Sequence, residues 1–214
     1  MKGIFITFEG IEGCGKTTQI HLLNKHLCDS GHSTLLTREP GGTPIGERIR
    51  SILLDSKNDN MSPRTELLLY TAGRNQHIVE KIQPALDEGK IVLCDRYADA
   101  TTAYQGAARK IDSSIIEEIH KVATGGLMPV FTFLLDCPAE VGLGRARARN
   151  ETDSTAGTLD RFEQEKMDFH ERVRQGYLNI AKREPERMII IDATLNPDAM
   201  HEKIIALTNG KLDI

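Results

Sequence analysis

Phe5-Ile6-Thr7-Phe8-Glu9-Gly10-Ile11-Glu12-Gly13-Cys14-Gly15-Lys16-Thr17-Thr18 runs from an apolar strand through a glycine-rich turn into the start of a helix. Gly10, Gly15, Lys16 and Thr17 fit the G-x-x-x-x-G-K-[ST] pattern with no gap or substitution. Chemistry explains the residue types. Glycine lacks a Cβ, so backbone N–H groups can close around a phosphate chain. The helix that follows points its positive end and its unpaired N–H groups at the same anion. Lys16 then reaches the β- and γ-phosphates, and the Thr17 hydroxyl takes one coordination position on Mg²⁺. Ile4, Phe5, Ile6 and Phe8 form a buried-strand run before the turn, and Ile20, Leu22, Leu23 and Leu27 a helical stripe after it. The stretch from Gly10 to Thr18 is expected to hold a nucleoside triphosphate.

Outward from this stretch, strands alternate with helices. Residues 33–37 read as a second strand, followed by a Pro/Gly loop over 38–44 and a helix over 45–54. Ser62-Pro63 reads as the N-cap and first position of a long helix, bent near Pro84 and ended by Gly89. Residues 91–95 are an apolar strand closing on Asp95, and 130–135 are another closing on Asp136. Helices are expected over 101–108, 112–123 and 138–149. Residues 150–159, rich in Ser, Thr, Asp and Gly, read as a mobile surface loop. Asp160 and Glu163 read as a capping box for a helix whose inner face carries Phe162, Phe169, Val173 and Ile180. A fifth strand over 188–191 and a helix from Asn196-Pro197 complete the pattern. This alternation predicts an α/β fold, a five-stranded parallel sheet with helices on both faces.

The chain has 214 residues, enough for one domain with one core, and no linker or repeat divides it. Lys and Arg number 27 against 31 Asp and Glu, a formal charge of −4, which argues against nucleic acid or an anionic membrane as the main partner. No apolar run reaches membrane-spanning length, and the N-terminus enters the first strand with no leader pattern. Cys14, Cys28, Cys94 and Cys137 show no metal-site spacing and read as reduced thiols. A cytoplasmic location is expected.

Ligands of such sheets bind beyond the carboxyl ends of the strands. Gly10, Arg38, Asp95 and Asp136 all follow strand ends and should converge on one rim. Arg38 and Arg96 are placed to hold a second phosphate bidentately. Asp95 ends its strand like a Walker B carboxylate and is expected on Mg²⁺ with Thr17.

Phe8 to Thr18, the run Thr37-Arg38-Glu39-Pro40-Gly41-Gly42-Thr43, Asp95-Arg96-Tyr97, Ala103-Tyr104-Gln105-Gly106 and the closing Ile191-Asp192-Ala193-Thr194 follow one another as in thymidylate kinases. The chain resembles that family over essentially its whole length. The resemblance implies a P-loop NTPase fold of nucleoside monophosphate kinase type, with ATP as donor, dTMP as acceptor, Mg²⁺ and a homodimer. It implies that Tyr70 stacks on thymine and Arg74, one turn on, bonds the base edge. Thr101 and Gln105 would also contact the base, Tyr104 would crowd the sugar 2′ position, and Glu12 would lie near the 3′-hydroxyl. Gly13 and Cys14 stand where some members carry a basic residue, which goes with arginines on a lid, here about 145–161 and longer than is usual through 152–157. Arg149 and Arg161 are then expected on the phosphates and Arg145 on adenine.

Three rival readings follow from the same residues, one of them an inactive homologue serving as a scaffold, against which the intact phosphate-handling residues argue. A nucleoside monophosphate kinase for another base shares all but the base contacts. A GTP-dependent switch would need Asn-Lys-x-Asp, and the nearest stretch, Asn24-Lys25-His26-Leu27, lacks the Asp.

Overall fold

The computed structural model describes residues 3–152 and 161–212. Five parallel strands, β1 (Ile4–Glu9), β2 (Thr34–Arg38), β3 (Ile91–Asp95), β4 (Phe131–Asp136) and β5 (Met188–Asp192), lie in the order β2-β3-β1-β4-β5. The expected sheet is therefore present. The order reverses around β1, which places the glycine-rich turn at the switch point where α/β sheets open a crevice.

Both faces of β1 are covered, as its unbroken apolar run requires. Ile6 and Phe8 face one apolar cluster with Phe133, Leu23 and Tyr177, while Phe5 faces the other with Val92, Ile82 and Tyr97. The first helix, α1 (Lys16–Asp29), begins after Gly15 with no side chain capping it, so its N–H groups stay open to a ligand.

Other helices start on conventional caps. Thr43 caps α2 (Pro44–Leu54), Ser62 caps α3 (Pro63–His77), and Asp112 caps α6 (Ser113–Thr124). The helix from Pro63 departs from expectation at its far end. A π turn (Ile78–Ile82) links α3 to α4 (Gln83–Asp87), one turn ahead of Pro84. Proline has no N–H for the residue four back, and the wider turn takes up that mismatch. The helix expected from residue 101 starts earlier, as α5 (Ala98–Thr101), and continues as a second π segment (Thr102–Ala108).

The structure also corrects the sequence reading around residues 145–167. Helix α7 (Ala139–Thr152) continues past Arg149 into what was expected to be loop. Residues 153–160 fall outside the described residues, and with them Asp160 and most of the lengthened stretch. Helix α8 (Met167–Arg183) begins on Lys166, not near Asp160, so Phe162 and Glu163 lie ahead of it in turns. The last helix, α9 (Pro197–Leu212), starts as expected, with Asn196 accepting the Ala199 N–H at 2.8 Å.

Candidate active site

The strand ends assemble the site. In register, Arg38 lies beside Asp95, and Asp95 beside Phe8. A cavity of about 700 Å³ opens above them. At one end is the glycine-rich turn, where Gly10 and Gly13 have φ of 137° and 68°. A Cβ on Gly13 would stand 2.0 Å from the Gly142 carbonyl oxygen, so only glycine lets α7 approach the loop this closely. The Lys16 ammonium donates to the Gly10 and Ile11 carbonyls at 3.0 and 2.7 Å. Thr17 Oγ1 donates to Asp95 Oδ2 at 2.9 Å, joining the two expected metal ligands. Both are hard oxygen donors beside the glycine-rich turn, the set that suits Mg²⁺ bound through few protein groups.

The middle of the cavity carries arginine. Arg38 Nη2 donates to both Glu47 carboxylate oxygens at 3.0 Å, and the side chain is half exposed. Arg96 adopts φ 70°, its guanidinium 4.8 Å from the Tyr104 ring centre and its Nη2 3.0 Å from Glu12 Oε1. Burial alone would raise the Glu12 carboxyl. Arg96, hydrogen bonds from His170 and Tyr104, and the charge of Lys16 together hold it well below the usual carboxylate range. Glu12 is thus an anion among cations, and Tyr104 is tied to it by its hydroxyl.

At the far end, Arg74 is almost fully buried and spends three nitrogens on the wall. Nε donates to Glu39 Oε2 at 2.7 Å, Nη1 to Thr101 Oγ1 at 3.0 Å and Nη2 to the Tyr97 carbonyl at 2.9 Å. Glu39 Oε1 lies 3.1 Å from His77 Nδ1. Gln105 donates to Glu66 at 2.7 Å. Tyr70 lies one helical turn before Arg74 and faces the same cavity, with Phe162 edge-on to it at 6.2 Å.

The cavity brings together Glu12, Gly13, Gly15, Lys16, Thr17, Thr18, Arg38, Tyr70, Arg74, Asp95, Arg96, Thr101, Tyr104, Gln105, Arg145 and Arg149. Gly10, Ile11 and Cys14 stand behind its surface as loop framework. Arg145 Nη1 donates to the Ala193 carbonyl at 2.7 Å, beside the Thr194–Pro197 turn. Arg149 reaches Glu163 at 3.1 Å. Arg161 stands apart. It is buried, its Nη1 2.6 Å from Glu66 Oε2 and its Nε on the Leu53 carbonyl at 2.9 Å, and it does not line the cavity in this conformation.

Glu39, Arg50, Phe162, Glu163 and Asn196 also line this space, although the sequence marks Glu163, Phe162 and Asn196 only as helix-cap or core positions and gives Glu39 and Arg50 no ligand role. Glu39 lay within a quoted motif, and its position between Arg38 and Pro40 was the available signal. The others carry none that spacing could reveal.

A family model described as thymidylate kinase matches residues 8–204. The chain is 56% identical over 195 residues to a thymidylate kinase of Trichlorobacter lovleyi, covering 91% of each. It is 53% identical over 211 residues to one of Geotalea daltonii, covering 99% of each. The crystal structure of thymidylate kinase from Ehrlichia chaffeensis superposes with a TM-score of 0.78 at 34% identity, over 98% of this chain and 99% of that one. Relatives this similar along nearly the full length, on a sheet and cavity of this form, settle the assignment: the chain belongs to the thymidylate kinase family.

Proposed function

We propose that this protein transfers the γ-phosphoryl group of ATP to dTMP, giving dTDP and ADP. The observation that carries the reading is the single cavity with Lys16 and Thr17 at one end, Tyr70 and Arg74 at the other, and Arg38 and Arg96 between them. Lys16 exchanges its loop carbonyls for the β- and γ-phosphates, joined by the N-terminal amides of α1. Thr17 and Asp95 hold Mg²⁺, which offsets phosphate charge when bound. Tyr70 stacks on thymine, while Arg74, Thr101 and Gln105 read its edge. Tyr104 and Glu12 bound the sugar, and Arg38 and Arg96 orient the acceptor phosphate. That phosphate is already an anion, so no general base is needed, and rate comes from positioning and charge stabilisation.

Arg149 is the arginine we place on the transferring group, where such a residue contributes about 10³ or more in rate. Its exposed position at the cavity rim supports this. Arg145, beside the Thr194–Pro197 turn, borders the adenine. Arg161 reaches a phosphate only by leaving Glu66; in its present contacts it braces the wall behind Gln105.

We further infer one catalytic domain acting as a cytoplasmic homodimer. Exposed Ile45, Ile52, Leu68 and Val122 on α2, α3 and α6, where α3 packs against each of the other two, support the dimer. Four free cysteines accord with the location; no described helix is long and apolar enough to cross a membrane.

The test is a panel of acceptors, dTMP, dUMP, UMP, CMP, AMP and GMP, with ATP and Mg²⁺. The reading expects kcat/KM for dTMP to exceed that for every other acceptor. A purine or ribonucleotide preferred over dTMP would refute it.

A further inference from the structure

Glu9 ends β1 and is fully buried, yet the reaction above makes no use of it. Its Oε1 accepts the Tyr97 backbone N–H at 2.7 Å, and its Oε2 accepts the Tyr177 hydroxyl at 2.7 Å. Both partners bear on the same neighbour. Tyr97 directly follows Arg96, whose φ of 70° is a left-handed conformation that a side-chain-bearing residue keeps only when its surroundings hold it. The Arg96 N–H is pinned to the Phe8 carbonyl at 2.9 Å, and the Tyr97 N–H on Glu9 supplies the second pin. At the other end of the side chain, Arg96 Nη1 donates to the Tyr177 hydroxyl at 3.3 Å.

We propose that Glu9 is a positioning residue for Arg96, fixing its backbone through the Tyr97 amide and its guanidinium through the Tyr177 hydroxyl, so that the acceptor phosphate meets a cation already in place. The inference rests on the reading of Arg96 as a ligand of that phosphate. Arg96 would otherwise lose conformational freedom on each binding event, at a cost in affinity that this arrangement removes.

Glu9's contacts with both partners are hydrogen bonds. Burial, then the neighbouring Asp99, push its carboxyl up to about 8, against the opposing pull of Arg96 and of the bonds from Tyr177 and Tyr97. A neutral carboxyl still offers an acceptor to the amide and a partner to the hydroxyl. Glutamine keeps both functions in the same shape, whereas leucine of similar volume keeps neither.

Calorimetric titration of dTMP, and of thymidine, which lacks the phosphate, tests this on Glu9→Leu, Glu9→Gln, Tyr177→Phe, Arg96→Ala and the Glu9→Leu/Arg96→Ala pair. Glu9→Leu and Tyr177→Phe should each weaken dTMP on the order of tenfold and leave thymidine within about twofold. Glu9→Gln should bind dTMP like the parent, and Glu9→Leu should add nothing once Arg96 is alanine. Loss of dTMP and thymidine together, or additive losses in the pair, would overturn the proposal. Tyr177→Phe removes a single hydroxyl and decides the matter should Glu9→Leu fail to fold. If Arg96→Ala weakens dTMP but Glu9→Leu and Tyr177→Phe do not, this inference alone fails. If Arg96→Ala leaves dTMP binding unchanged, the acceptor-phosphate reading fails and takes the inference with it.

Discussion

Arg74 and Glu39 meet in the wall at the far end of the cavity, Nε on Oε2 at 2.7 Å, with 1% and 4% of their side chains exposed. They come from α3 and from the loop after β2, so the pair locks α3 onto the sheet. Removing one partner leaves an uncompensated buried charge, a loss of about 3–5 kcal/mol. Glu39→Ala should therefore lower the urea midpoint strongly and also raise KM for dTMP, because Arg74 loses its anchor. A variant with unchanged midpoint and KM would show that the pair is dispensable.

Lys16 presents the opposite balance. Its bonds to the Gly10 and Ile11 carbonyls are local, so Lys16→Ala should change stability by no more than about 1–2 kcal/mol. Its loss from the phosphates should lower kcat by on the order of 10²–10³. A coupled ADP assay checks this, and near-normal turnover would remove Lys16 from the mechanism.

Much of this was legible in the sequence where the signal is local. The phosphate loop needs glycine at fixed offsets between an apolar strand and a helix, all within a few residues. Arg38, Asp95 and Arg96 were legible because a parallel sheet carries strand ends to one rim. Glu9 was not, since its meaning comes from Tyr177 on α8, far along the chain. Arg161 is expected on a phosphate because of the lid resemblance, and its contact with the buried Glu66 was not legible because that partner lies far along the chain. The two π segments were also hidden, since periodicity cannot separate a π turn from the α-helix around it.

His120 links stability to pH. Burial first, and the charge of Arg74 second, push its imidazole down to about 3, while Nε2 lies 3.1 Å from Thr102 Oγ1. Below pH 6.5 the unfolded chain takes up a proton at this residue that the folded chain does not, so its contribution is full above 6.5 and is lost as pH falls toward 3. The stability gap between the parent and His120→Gln should therefore narrow from pH 7 to pH 5 in urea titrations. A constant gap would contradict the buried neutral state.

The apolar side chains on α2, α3 and α6 predict a second solution property. Leu68 is 58% exposed and Val122 81%. Leu68→Asp with Val122→Asp should shift sedimentation from dimer to monomer, because charge at an apolar interface is left without a partner. A parent protein sedimenting as a monomer would dismiss the dimer outright.

The most direct measurement follows the phosphoryl group itself. The protein is incubated with dTMP, Mg²⁺ and ATP labelled in its γ-phosphate, and the nucleotides are separated. The account predicts label in the β-phosphate of dTDP, formed in step with ADP. Label released as inorganic phosphate, with dTMP unchanged, would contradict it.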